Sequence, residues 1–347
     1  MMAPEAAHLL ASARIHARPC RASAGALTMT SRRDFLATAS LAGVGLALSP
    51  LAACARERPP AASGKTTSTS SRAGALAMRA IPSTGERIPA IGVGTSGSYE
   101  VALDSPAFAA LRDVLKVFFE GGGTLIDTSP NYGNADEVVG ALLAEGGWRD
   151  RCFLATKLAA DDQEALERQW AESKRRLRTG KVELLQVHNL RNMAQAWPYA
   201  RRLKESGETR YIGLTHFQAR AHADLARWMR EEKPDFVQIN YSPVAPEAAD
   251  TIFPLAQDLG IAVIVNRAFD DGRLFTRVAD KSLPGWAGEM QIDSWAQLFL
   301  RFAISPPAVT AVIPATGKPE RQADNLKGGI GPMLSASQQA DVRRLFA

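Results

Sequence analysis

Cysteine is nearly absent: Cys20, Cys54 and Cys152 are the only three in 347 residues. That excludes the even, spaced framework that staples small secreted domains. Cys152 falls in the apolar run Cys152-Phe153-Leu154-Ala155-Thr156 and reads as a small buried hydrophobe rather than a reactive thiol. An excess of one charge is equally lacking. The chain carries +5, but residues 1–54 hold five Arg against two acidic side chains, leaving 36 basic and 34 acidic groups beyond them. So balanced a body offers no electrostatic footprint for nucleic acid. Past the first 54 residues the histidines are His188, His216 and His222, which do not make a metal-ligand cluster. What remains, 46% apolar and 22% charged, is the composition of an ordinary globular domain.

The N-terminal segment reads as an address. Ser31-Arg32-Arg33-Asp34-Phe35-Leu36 precedes a mildly apolar stretch to Leu51, then Leu51-Ala52-Ala53-Cys54. Paired arginines before a weakly apolar segment resemble a twin-arginine export signal. The tail resembles a lipobox, in which Cys54 would carry lipid and become the first mature residue. At about sixteen apolar or small residues the segment is short for a spanning helix. Residues 1–54 are therefore expected to be a signal, with 1–28 an over-extended start before Met29. Residues 55–78, rich in Ala, Ser, Thr, Pro and Arg, are expected to be a disordered linker. The mature protein would then lie on the periplasmic side of the cell envelope, tethered to the membrane through Cys54 if that residue is lipidated, or released if the signal is simply cleaved beside Ala53.

From residue 79 to 347 short apolar runs alternate with amphipathic ones. Strands are predicted at Ala90–Thr95, Thr124–Thr128, Cys152–Lys157, Val182–His188, Tyr211–His216, Phe236–Asn240, Ala262–Asn266 and Val309–Pro314. Helical periodicity lies near 106–120, 135–145, 162–178, 192–206, 219–232, 248–259 and 292–303. Eight such alternations over about 250 residues favour an α/β fold, a (β/α)8 TIM barrel, over an open sheet. The strands are continuous apolar runs, as when both faces are buried. Ser83-Thr84-Gly85 within Met78–Pro89 suggests an N-terminal β-hairpin closing the barrel floor, and Ser335–Phe346 an extra C-terminal helix. Gly92-Val93-Gly94-Thr95-Ser96-Gly97 matches the dinucleotide pattern G-x-G-x-x-G, but that pattern should open directly into a helix. Here Ser98–Pro106 intervenes, which argues against a Rossmann dehydrogenase.

In a barrel of this kind function sits at the C-terminal ends of the strands. Asp127 ends the second strand, Tyr132 follows in its loop, Lys157 ends the third and His188 the fourth. Each alone has an ordinary explanation: a turn cap, loop packing, a solvated amine, a backbone hydrogen bond. All four on one rim do not. The segments Asp127-Thr128-Ser129-Pro130-Asn131-Tyr132-Gly133, Ala155-Thr156-Lys157 and Gln186-Val187-His188-Asn189 resemble the catalytic tetrad segments of the aldo/keto reductases, and the resemblance runs from about 79 to 347.

The resemblance implies reduction of an aldehyde or ketone with NADP(H). As hydride arrives, negative charge grows on the carbonyl oxygen, which needs a positioned proton donor. A free phenol, with a pKa of about 10, is a poor acid near neutrality, and a neighbouring ammonium favours its ionised form. Tyr132 is thereby expected to donate the proton, Lys157 to tune it, Asp127 to hold Lys157, and His188 to orient the carbonyl. No metal is required.

Ile313 to Asn325 follows the last strand and opens a helix, where barrels often hold phosphate. By the same resemblance Thr316, Arg321 and Asn325 grip the adenosine 2′-phosphate and adenine, and a guanidinium suits that task. Ala315 stands where many relatives have Lys, which narrows the preference for NADP(H) over NAD(H). Thr215, His216 and Gln238 match positions that bind the nicotinamide carboxamide, with His216 a departure. Asn266 replaces the aromatic that many relatives stack on the nicotinamide, and Arg267 is expected to reach the pyrophosphate. Ser96 stands where many members place a Trp in the substrate pocket, so family substrates do not transfer. The rival reading is a barrel that holds NADP(H) as a redox-sensing module with little turnover; the complete tetrad argues against it.

Overall fold

The computed structural model describes residues 74–347, and its elements follow the alternation in the sequence. A hairpin of β1 (Met78–Ala80) and β2 (Arg87–Pro89) comes first. Eight parallel strands follow: β3 (Val93–Gly94), β4 (Leu125–Asp127), β5 (Phe153–Leu158), β6 (Val182–Val187), β7 (Thr209–Thr215), β8 (Phe236–Asn240), β9 (Ala262–Asn266) and β10 (Val309–Val312). Around them run α1 (Pro106–Glu120), α2 (Ala135–Gly146), α3 (Gln163–Arg176), α4 (Met193–Glu205), α5 (His222–Glu232), α6 (Ala248–Leu259), α7 (Arg273–Arg277), α8 (Trp295–Ile304), α9 (Pro319–Lys327) and α10 (Ala336–Arg344). The strands neighbour one another in sequence order, the arrangement of a (β/α)8 barrel.

Helix starts are written in the side chains. Ser105 accepts a hydrogen bond from Phe108 N with Pro106 at the first helical position, Asp162 accepts from Ala165 N, and Ser335 forms a reciprocal capping box with Gln338. The helix expected at 292–303 begins at Trp295, because Ser294 caps it through Gln297 N. Positive-φ Gly147 and Gly260 end α2 and α6.

The seam between first and last strands explains the glycine-rich false match. Ile91 bridges Val312, Val312 N donates to Ala90 O at 2.9 Å, Gly92 N to Val312 O at 2.8 Å and Gly94 N to Pro314 O at 3.0 Å. A Cβ on Gly94 would stand 2.7 Å from Ile313 O, and one on Gly92 2.9 Å from Leu125 O. Gly94 lets backbones meet at barrel closure, and Gly92 lets the chain approach β4 closely. The regular part of β3 is two residues, against the six predicted for Ala90–Thr95, with Ile91 contributing an isolated bridge to Val312.

Inside the barrel Phe153, Tyr211 and Phe236 pack with Leu184, Ile264 and the hairpin's Ile81 and Ile88. Tyr211 Oη donates to Glu86 at 2.6 Å, pinning the hairpin across the floor. The opposite rim is left for function. Order begins earlier than the linker boundary predicted at 78: Leu76 bridges Ile330 and Ala77 N donates to Gly329 O at 2.8 Å. The signal, Cys54 and the linker up to residue 73 lie outside the described residues.

Candidate active site

Asp127 is the last residue of β4 and Lys157 the penultimate residue of β5, and the parallel register sets them side by side. Lys157 Nζ donates to Asp127 Oδ2 at 2.6 Å and to Thr128 O at 2.7 Å, with the two side chains only 1% and 2% exposed. Asp127 Oδ1 accepts from Gln186 Nε2 and Gln238 Nε2, each at 2.9 Å. A buried ion pair persists when its remaining polar atoms are satisfied in this way. Burial opposes the Lys157 charge, but Asp127 outweighs it, with help from the Tyr132 hydroxyl, and the ammonium titrates above the usual lysine range. Its Nζ lies 5.1 Å from the centroid of the half-buried Tyr132 ring.

His188 follows β6 at the start of a tight turn in which Asn189, Leu190 and Asn192 have positive φ. Its ring meets Tyr132 edge-on at 5.8 Å, and Nδ1 lies 3.2 Å from Ser129 Oγ. Burial, then the charges of Lys157, Arg191 and His216, push its pKa down to about 3. At neutral pH this imidazole is uncharged.

The four residues stand together at one end of a cleft of about 1160 Å³, to which Asp127, Tyr132 and His188 contribute wall. That is at or above the roughly 300–1,000 Å³ of small-molecule pockets, so the cleft has room for a long ligand beside a small one. The wall continues through Thr215, Phe217, Gln238, Asn266 and Arg267 to Thr316, Arg321, Asp324 and Asn325 at the far end. Thr316 and Asn325 are buried, while Arg321 is exposed and, among the described residues, pairs with no carboxylate. Arg301 of α8 ties two helices together near Asn325. Fully buried, it donates to Gly328 O at 2.7 Å and Pro332 O at 2.6 Å, stitching α8 to the end of α9.

The family model for the aldo/keto reductases matches residues 90–345, nearly the whole described barrel. The chain belongs to the aldo/keto reductase family. A curated aldo-keto reductase from Mycolicibacterium vanbaalenii is 28% identical over 249 residues, covering 69% of this chain and 82% of that one. A Klebsiella pneumoniae aldo-keto reductase solved in complex with NADPH is 26% identical, with a TM-score of 0.65 over 76% of this chain and 92% of that one. The holo form of a Bacillus halodurans aldo-keto reductase superposes with a TM-score of 0.64 over 78% of this chain and 96% of that one; at 18% identity it speaks for the fold alone.

Within this family barrel, ten of the eleven residues predicted for chemistry or cofactor face or support the cleft, and one does not. His216 turns away: its Nδ1 accepts from Phe217 N at 3.0 Å and Gln218 N at 3.2 Å, and its ring stacks on Phe217. The ring satisfies its own loop, so His216 contributes its carbonyl, which accepts from Asn266 Nδ2 at 3.2 Å. Thr215 and Gln238 line the cleft with part of their capacity spent, Thr215 Oγ1 on Asn189 N and Gln238 on Asp127 and Asn266. Arg267, at φ 54°, pairs with Asp271 at 3.1 Å and lies 4.4 Å over the Phe217 ring.

Several contributors carry no role in the sequence reading. Gln186 is fully buried and braces Asp127; the trace was a lone amide in the apolar run Val182–Val187. Asp136 accepts from Thr128 Oγ1 at 2.8 Å behind Lys157, and burial raises its pKa despite that bond and one from Ser173. Phe217 supplies an aromatic wall where Asn266 does not, and nothing in the local spelling marked it.

Proposed function

We propose that this aldo/keto reductase reduces an aldehyde or ketone to an alcohol with NADP(H), ahead of NAD(H), and that Tyr132 gives the proton. The observation that carries the proposal is the Lys157 ammonium, buried against Asp127 and 5.1 Å from the centroid of the Tyr132 ring in the wall of the cleft. When bound, the nicotinamide supplies the hydride that adds to the carbonyl carbon. Tyr132 passes its hydroxyl proton to the oxygen as charge develops there, and the fixed ammonium stabilises the phenolate left behind. Neutral His188 donates a hydrogen bond to the same oxygen and fixes its angle. Asp127, braced by Gln186 and Gln238, holds Lys157 charged.

The far wall fits the cofactor. Arg321 offers a guanidinium unclaimed by carboxylates among the described residues, suited to a 2′-phosphate. Buried Thr316 and Asn325 flank it. Arg267, 4.4 Å over the Phe217 ring, stands where it can leave Asp271 for the pyrophosphate. The NADPH bound in the Klebsiella pneumoniae relative supports the choice. From residues 31–54 we further propose export to the periplasmic side of the envelope with Cys54 lipidated. The test of the activity is NADPH consumption with reactive aromatic aldehydes and quinones, together with recovery of the alcohol or quinol. Tight nucleotide binding without consumption of any carbonyl would leave the redox-sensing reading in its place.

A further inference from the structure

We propose that Ser129 is a positioning residue that holds His188 as the Nε2–H tautomer, so that its one N–H faces the cleft. The inference rests on the reading of His188 as hydrogen-bond donor to the carbonyl. An uncharged imidazole has one N–H and one lone pair, and the group that bonds the second nitrogen decides which is which. Ser129 Oγ lies 3.2 Å from Nδ1 and is the one ring-nitrogen partner of His188 among the described residues. The same oxygen accepts from Asn131 N at 3.3 Å. Ser129 is fully buried, so water does not compete for its hydroxyl proton. With one lone pair turned to the Asn131 amide, the acceptor left for that proton is Nδ1. The ring proton therefore resides on Nε2. The groups around the ring do not offer Nδ1 another proton acceptor: Tyr132 meets it edge-on, and Lys157, Arg191 and His216 contribute charge that keeps it neutral.

Ser129 sits in the Asp127-Thr128-Ser129 segment, so the strand end that places Asp127 also sets the donor of His188. Without the hydroxyl, the ring has no partner fixing its angle, and Nδ1 is left as a buried unbonded acceptor. Loss of one such bond is expected to lower kcat by about two- to tenfold, with the Kd for NADPH unchanged.

The test is long-range 1H–15N correlation on the full chain labelled with 15N-histidine, without cofactor or substrate, from pH 6 to 8. His188 signals are identified by their loss in His188→Asn. Wild type should show protonated Nε2 and a hydrogen-bonded Nδ1 lone pair. In Ser129→Ala the Nδ1 resonance should move towards an unbonded imine nitrogen or average between tautomers. A wild-type proton on Nδ1, or a Nδ1 resonance unmoved in Ser129→Ala, overturns the proposal. Because the spectra need no turnover, a protein that reduced no carbonyl would refute the catalytic reading and leave the tautomer result standing.

Discussion

Removing one half of the Lys157–Asp127 pair tests how the site is held. The pair is 2.6 Å long with both side chains all but sealed from solvent. Lys157→Met leaves Asp127 with the amide donors of Gln186 and Gln238 and no cation, while Asp127→Asn leaves the ammonium with Thr128 O and Tyr132. Breaking a buried pair from one side costs about 3–5 kcal/mol, since the survivor is uncompensated. For a barrel of this size that lowers Tm by roughly 6–20 °C. The double variant Lys157→Met/Asp127→Asn removes both charges and should regain about 2–3 kcal/mol relative to the sum of the singles. All three should be catalytically impaired. The pKa of Lys157 is raised on folding, so its contribution to stability is fully present below the ordinary 10.5 and fades only as pH climbs through the higher folded value. The gap between wild type and Lys157→Met should thus be flat from pH 6 to 9 and close in strong alkali. Thermal and urea unfolding of the four proteins read this directly. Singles melting within about 2 °C of wild type, or a strictly additive double, would refute the coupling.

Arg321→Ala should weaken NADPH far more than NADH, by about ten- to a hundredfold for a charge-assisted contact worth 1.5–3 kcal/mol; equal losses in fluorescence titrations would mean the 2′-phosphate lies elsewhere. His188, held near 3, binds fewer protons folded than unfolded between pH 3 and 6.5. Its contribution to stability is therefore complete above pH 6.5 and is lost as pH falls towards 3, and kcat should show no histidine limb between pH 5 and 8. A limb near 6.5 that disappears in His188→Asn would show a solvated imidazole instead. For the proposed export, wild type expressed in a twin-arginine-competent host should stay with membranes in high salt and carry an N-terminal lipid mass, whereas Cys54→Ser should not. A freely released mature protein with an unmodified N-terminus would end the lipoprotein proposal.

The barrel was legible because burial on both faces forces largely apolar strands such as Val182–Val187 and Ala262–Asn266, repeated eight times between amphipathic segments. The proposed tetrad was legible because Asp127 and Lys157 lie at the ends of β4 and β5, and Tyr132 and His188 in the turns after β4 and β6, so chain position sets all four on one rim. The bracing was not. Gln186, Thr128 and Asp136 act through partners 59, 29 and 8 residues distant; strand pairing brings the first two within hydrogen-bond reach and the turn from β4 into α2 the third. His216 went astray for a local reason: two backbone amides in the turn after β7 claim its Nδ1, a competition that strand register does not reveal. The Gly92–Gly97 motif shows the converse, since the amides of Gly92 and Gly94 bond to Val312 and Pro314, more than two hundred positions away.

The central claim is proton transfer from Tyr132, and single-turnover reduction of a reactive aromatic aldehyde by NADPH-loaded Tyr132→Phe tests it most directly. The variant keeps the ring against His188 and Lys157 and lacks only the hydroxyl. Its rate should fall by about 10²–10⁴-fold, the usual contribution of a general acid, while NADPH binds as in wild type. Retention of more than about a tenth of the wild-type rate, below even the low end of that range, would contradict the account.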